Sequence, residues 1–442
     1  MQKPKVGFVS LGCPKNQVDT EVMLGLLDVA GFELTAEDIE ADIVVVNTCA
    51  FIESAKQESI DNILDIAWLK KNANLKGIVV TGCLAERYRD EIFTELPEVD
   101  AVLGTGSYHD IVAAIEAVAR GEKFSAYRDK NDAPLGGERI LTTPDYYAYL
   151  KLAEGCNNHC TYCAIPSIRG KLRSREMDEL VDEAKALAAS GVKELVLVAQ
   201  DTTRYGEDLY GEPKLAELLH RLGAETDIPW LRVLYCYPDR ITDALIAEIR
   251  QNPKVVKYID MPIQHISDSV LRRMNRHGDG ALIRRVVAKL RAEIPNLTLR
   301  TTAICGFPGE TEEDYAELCA FIDEAKFEKF GCFPYSREEG TPAAALPDQI
   351  DEQVKQDRAD RLMQMQLDIV TAQNEKMVGK KLTVLCEGFD PVSEMHFGRA
   401  ATDAPEIDGK LFFAAARRVE PGTFVKVRIT EVQDYDLVGV KL

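Results

Sequence analysis

The sequence predicts an α/β chain in three parts: an N-terminal domain with a parallel sheet, a central partial (β/α) barrel, and a small antiparallel β-barrel at the C-terminus. Short continuous runs of β-branched residues alternate with amphipathic stretches, as in parallel sheets covered on both faces. Polar breaks at 121–145 and 336–348 interrupt that alternation. From Lys380 onward, short alternating runs separated by Gly-containing turns replace the helical periodicity.

In order along the chain, VGFVSLG (6–12), IVVVNT (43–48), GIVVTG (77–82) and a weaker run at Val99–Leu103 read as strands. The helices expected between and after them cover 17–30, 53–71 and 84–93, with another from His109. This domain is expected over 1–120, followed by a linker over 121–141. The core expected over 142–377 has strands at 148–153, 194–199, 231–237, 255–261, 297–304 and 329–333. Helices around Asp178–Ala189 and Glu312–Ala325 lie between them, and about six βα units are too few to close an eight-fold barrel. A long helix over 351–377 packs through Leu362, Met365 and Ile369, and residues 378–442 form the small β module.

At 442 residues, 46% hydrophobic and 29% charged, the chain has the composition of a folded globular protein, not a disordered or collagenous one. No stretch is long and apolar enough for a membrane helix and no signal core opens the chain, so the expectation is a cytoplasmic protein without membrane contact. The net charge of −20 favours basic partners over phosphate backbones. Its eleven cysteines point to metal or redox chemistry more than to disulfides.

The densest motif is Cys156-x3-Cys160-x2-Cys163, directly after the first barrel strand. Loops there lie at the mouth where barrels carry their chemistry. Three close thiolates suit one face of an iron–sulfur cube and leave one iron open to a chelating ligand. The alternatives are a zinc site completed by His159, or free thiols; zinc motifs usually separate their ligand pairs more widely. Cys13, Cys49 and Cys83 each follow one of the first three long strands. Parallel strands end at one edge, so the three thiols converge there and predict a second cluster, against the alternative of small buried residues. Cys236, Cys305, Cys319, Cys332 and Cys386 have no partner spacing.

Polar residues past the barrel strands are candidate cofactor contacts: Gln200 and Asp201, the Asp260–His265 segment, Arg300, Thr302, and Gly306 through Gly309. The basic runs 169–175 and 272–285 are weighed against solvated faces. The β tail carries nine basic and ten acidic residues, a poor match for RNA, so any RNA contact is expected to be incidental.

The C-x3-C-x2-C loop, with Tyr162 before its last cysteine, resembles the radical S-adenosylmethionine (SAM) enzymes. Adding Cys13, Cys49 and Cys83 narrows the resemblance to the methylthiotransferases. SLGCPKN, NTCAFIESAKQES, GCLAERY, EGCNNHCTYCAIPSIRGKLRSR, AQDTTRYGEDLYG, PIQHISD and PYSREEGTPAA resemble the branch acting on a ribosomal protein more than the tRNA-modifying branch. The tail is similar to that family's TRAM module, while Cys305 departs from an expected aliphatic residue. The resemblance implies a [4Fe–4S] cluster on Cys156, Cys160 and Cys163 that binds SAM and cleaves it to a 5′-deoxyadenosyl radical. It implies a second, sulfur-carrying [4Fe–4S] cluster on Cys13, Cys49 and Cys83. A methylthio group would be placed on the β-carbon of an aspartate in small-subunit ribosomal protein S-twelve, with a second SAM as methyl source. The SAM contacts expected beside the cysteines are Tyr162, Gln200, Asp260, Arg300, Thr302 and Gly306, with an electron donor and a sulfur donor as further partners. A non-catalytic iron–sulfur carrier is the reading from another class; the βα series is too large for it.

Overall fold

The structure, a computed structural model, describes residues 3–442. In the N-terminal domain the β-branched runs form a wholly parallel sheet: β1 (Lys5–Ser10), β2 (Glu33–Thr35), β3 (Ile43–Thr48), β4 (Gly77–Gly82), β5 (Ala101–Leu103) and β6 (Phe124–Ala126). Their spatial order is β2-β1-β3-β4-β5-β6. β3 and β4 are buried along their whole length, between apolar clusters on the two faces. Each fully buried Val or Ile there contributes about 1.5–3 kcal/mol.

Helix α1 (Pro14–Val29) starts three residues before the expected 17, because proline fits the first helical turn. α2 (Glu53–Asn72) matches its expectation closely. The helix expected over 84–93 is instead two short ones, α3 (Cys83–Tyr88) and Glu91–Glu95, separated at Arg89 with φ 47°. β2 and β6, three residues each, are too short to show a period and were not expected. β6 pairs with β5, so the stretch expected to be a linker over 121–141 begins as sheet.

The second sheet contains β7 (Tyr147–Lys151), then, after the antiparallel ribbon β8 (Ala153–Glu154) and β9 (Arg173–Ser174), the strands β10 (Glu194–Val198), β11 (Trp230–Val233), β12 (Val255–Asp260), β13 (Thr298–Cys305) and β14 (Lys329–Pro334). Its order is β14-β13-β12-β11-β10-β7, parallel throughout, a partial barrel open between β7 and β14. β11 ends short of the expected residue 237, and Tyr235 beyond it has a left-handed φ of 62°. Helix Glu352–Glu375 packs on this core through buried Leu362 and Ile369 and partly buried Met365.

The tail is a closed barrel of β15 (Lys381–Asp390), β16 (Met395–Ala400), β17 (Leu411–Ala414), β18 (Phe424–Gln433) and β19 (Asp436–Lys441). It is antiparallel except between β17 and β19, which run parallel because β19 inserts between β17 and β18. The segment from Arg399 to Asp408 reaches into the open lumen of the larger barrel. Glu406 accepts from the Tyr147 and Tyr149 hydroxyls at 2.8 and 3.2 Å, and Asp408 from Tyr258 at 2.7 Å. Arg399 and Arg232 share Glu194 at 2.7 and 2.6 Å, and Asp403 pairs with Lys329 at 2.6 Å.

Candidate active site

β1, β3 and β4 are neighbours in the sheet, so Cys13, Cys49 and Cys83 emerge side by side at one edge. Cys49 and Cys83 follow their strands immediately, and Cys13 caps α1. Gly12 has φ +90°, and a Cβ on it would stand 2.7 Å from Cys49 Cβ, so only glycine lets the two cysteine loops approach. Asn47 Nδ2 donates to Asn16 O at 2.8 Å and to Thr20 Oγ1 at 2.9 Å, tying the first two loops together. Ser59 holds the Cys49 backbone from α2.

In the barrel, the loop between β8 and β9 carries the other triplet. Gly155, φ +74°, passes so close to Lys171 O that a Cβ would sit 2.0 Å from it. Asn158 pins the loop, donating to Asp201 Oδ2 and accepting from Arg204 Nε, both at 2.8 Å. Thr161 N–H donates to Met274 O at 3.0 Å, and Ala343 N–H donates to Thr161 O at 2.9 Å. Cys160 Sγ lies 4.0 Å from the Tyr237 hydroxyl, and Arg276 stacks over the Tyr237 ring. His159 is exposed, and among the described residues it does not gather with the thiols around a single ion.

Burial pushes the thiols of Cys156 and Cys163 up, to about 11 and about 12. It pushes Cys83 up to about 12 against the pull of Arg169, and raises Cys49 as well. At Cys13 burial is outweighed by Lys15 and Arg169, and the thiol is lowered. Buried thiols of this kind become thiolates when a metal supplies the positive charge. Among the described residues no three His, Cys, Asp or Glu side chains close around a single ion. Two all-thiol triplets, neither offering a fourth ligand, are compatible with clusters in which each cysteine takes a different iron.

The segment after the barrel triplet reaches the other triplet through one side chain. After Cys163 the chain turns into helix Ile165–Arg169, whose Ile168 packs with Ala164 into the N-terminal core beside Cys83 and Leu84. Arg169, 1% exposed, reaches Asp19 at 2.8 Å, Glu154 at 3.0 Å, Asn16 Oδ1 at 3.0 Å and Cys83 Sγ at 3.6 Å. Lys151 pairs with the same two carboxylates. Burial alone would raise Glu154, but Arg169 and Lys151 hold its carboxyl far below the usual range.

The six expected SAM contacts separate into different surroundings. Tyr162 and Thr302 line one cavity of about 480 Å³ with Gln264, Phe333 and, from the N-terminal domain, Phe51. Gln200 donates to Glu154 Oε1 at 2.8 Å. Asp260 is fully buried and engaged, accepting from Arg300 Nη1 at 2.8 Å and Tyr235 N at 3.0 Å. Gly306 is packed under Lys355, whose Cγ stands 2.3 Å from where its Cβ would be. Sequence reasoning missed Asn16, Asp19, Asn47 and Glu154, which are ordinary polar residues until the fold brings them together. It read Arg169 as part of a basic run, whereas Arg169 and Arg175 are buried and paired.

Comparison with known proteins follows the same three parts. Residues 5–104 match the family described as uncharacterized protein family UPF0004, residues 150–322 the Radical SAM superfamily, and residues 378–441 the TRAM domain. The chain is 50% identical to a protein of Lachnoclostridium phytofermentans named ribosomal protein uS12 methylthiotransferase RimO, covering 98% of this chain and 99% of that one. It is 49% identical to the protein of the same name from Geobacter sulfurreducens, over 99% and 98% of the two chains. Among solved structures, the radical S-adenosylmethionine methyltransferase TsrM from Kitasatospora setae shares the fold at TM-score 0.56 and 15% identity, over 77% of each chain. The cobalamin-dependent radical enzyme OxsB shares it at TM-score 0.51 and 11% identity, over 84% of this chain and 56% of the other.

Proposed function

The chain belongs to the ribosomal protein uS12 methylthiotransferase family, and from that premise we propose that it inserts a methylthio group at the β-carbon of an aspartate in uS12 in the cytoplasm. The radical SAM domain implies a [4Fe–4S] cluster and SAM. Cys156, Cys160 and Cys163 would hold that cluster, and Cys13, Cys49 and Cys83 a second one. When bound, the groups supply one-electron cleavage of SAM, which activates an unreactive C–H bond, and a carrier for the incoming sulfur.

What supports this reading is the domain junction beside the thiols, where Arg169 reaches from the helix after Cys163 to Cys83. The chain's own residues hold both loops in place: Asn158 and Thr161 fix the barrel loop, Asn16 and Asn47 the sheet edge. No general base is asked of them, because the β-hydrogen is not acidic. Replacing that hydrogen by SCH3 needs a sulfur donor, a methyl donor and reducing electrons from outside the chain. The acidic surface steers a basic ribosomal protein inward.

The test is anaerobic reconstitution followed by SAM and dithionite. The expected result is 5′-deoxyadenosine, methylthio label in uS12, and about eight iron and eight sulfide per chain. Label entering tRNA and not uS12 would transfer the protein to the tRNA-modifying branch.

A further inference from the structure

Lys15 differs from the other buried cations at the junction. It is 8% exposed and sits in the first turn of α1, two residues after Cys13. Arg169 and Lys151 divide Asp19 and Glu154 between them. Among the described residues Lys15 has neither a carboxylate within 4 Å nor a hydrogen-bond acceptor; its ammonium rests 3.7 Å from the centroid of the Tyr235 ring. Tyr235 is held there from behind: its N–H donates to Asp260, which Arg300 pairs, and its φ of 62° is a strained value for a non-glycine residue. An ammonium held on a ring face with no carboxylate within 4 Å attracts an arriving anion, which gains a charge-assisted hydrogen bond there. The N-terminus of a sixteen-residue helix favours the same anion.

We propose that Lys15 binds the side-chain carboxylate of the substrate aspartate, so that the adjacent β-carbon is presented at the junction of the two cysteine triplets. This rests on the proposed function and adds its specificity element: the charge that marks aspartate among the side chains of uS12 is read by a cation with no carboxylate partner among the described residues. A charge-assisted pair is strong and directional. The carboxylate of SAM is the other anion that could come to this ammonium, and the experiment separates the two.

The full-length, cluster-loaded protein is titrated, without reductant, with two labelled peptides spanning the target segment of uS12, one with the aspartate and one with asparagine in its place. Fluorescence anisotropy gives the affinities for wild type, Lys15→Met and Lys15→Arg. The expected result is a preference for the aspartate peptide of at least about tenfold in wild type, kept in Lys15→Arg and lost in Lys15→Met. SAM affinity is expected to be equal in all three, and the peptide affinities are compared in preparations of matched iron content. A preference that survives in Lys15→Met overturns the proposal. So does a fall in SAM affinity with the peptide ratio unchanged, which would assign the ammonium to SAM. Should Lys15→Met fail to hold iron, Lys15→Gln carries the same comparison. Methylthio labelling of uS12 with no aspartate preference in wild type removes the role of Lys15 alone, whereas no labelling and no binding of either peptide removes the substrate reading beneath it.

Discussion

Arg169 holds more of the junction than any other side chain. Its guanidinium spans two carboxylates, an amide oxygen and a thiol, a geometry a lysine ammonium does not reproduce. Arg169→Lys keeps the charge but is expected to lose the Asn16 and Cys83 contacts, costing about 1–3 kcal/mol in denaturant unfolding. It should also lower iron retention at the N-terminal triplet, read by metal analysis; unchanged stability and iron would show that the charge alone suffices. At Gly12, the added Cβ of Gly12→Ala would press on Cys49. That variant is expected to fall from about eight iron per chain to about four while still making 5′-deoxyadenosine from SAM. The role of Gly12 was illegible in sequence, because the neighbour that excludes a side chain is Cys49, a strand away.

At the scale of elements, alternation and breaker residues located most strands and helices, with IVVVNT, GIVVTG and Glu312–Ala325 placed to the residue. Three-residue strands such as β2 and β6 were missed, since pairing and not periodicity makes them strands. Helix Glu312–Ala325 is capped by a reciprocal Thr311–Asp314 box, and Asp314 also accepts from Ser267 and Ser269. Burial opposes ionisation of Asp314, but these donors outweigh it and hold the carboxyl at about 2. A depressed carboxyl contributes stability above its unfolded value and loses it as pH falls toward the folded value. Asp314→Asn is therefore expected to cost about 1 kcal/mol near neutral pH. The gap to wild type should narrow as pH drops from about 5 toward 3, read from urea midpoints. A gap constant with pH would mean that shape and not charge does the capping.

Across the whole molecule, the C-terminal barrel completes the central one. The partial barrel turns Arg232, Lys329, Arg300 and three tyrosines into its lumen. Segment 399–408 supplies carboxylates to Lys329 and the tyrosines and further contacts to Arg232 and Arg300, whose nearest carboxylates, Glu194 and Asp260, belong to the barrel itself. Removing residues 378–442 strips Lys329 of Asp403, Glu194 of Arg399 and the three tyrosines of their acceptors. Loss of one partner of a buried pair costs about 3–5 kcal/mol, and several are lost at once. The chain cut after residue 377 is expected to be insoluble or to melt at least about 10 °C lower by circular dichroism. An unchanged melting temperature would show the tail to be an independent appendage. On the opposite side, Arg87 crosses from α3 to Glu338 at 2.9 Å, with both side chains nearly buried, and clamps the N-terminal sheet to the barrel.

What the sequence determined by itself was local. Hydrophobic period set the strands and helices, the compact C-x3-C-x2-C loop placed three thiols within eight residues, and parallel connectivity forced three strand-end cysteines onto one edge. What only the tertiary structure decided was which charges face one another: that Arg169 reaches Cys83 and the carboxylates of Asp19 and Glu154, that Asp260 is already engaged by Arg300, that Gly306 lies under Lys355, and that the tail reaches into the barrel. Hydrophobic burial follows patterns a few residues long, whereas a buried charge is stabilised by whichever partner packing delivers, often more than a hundred positions away along the chain.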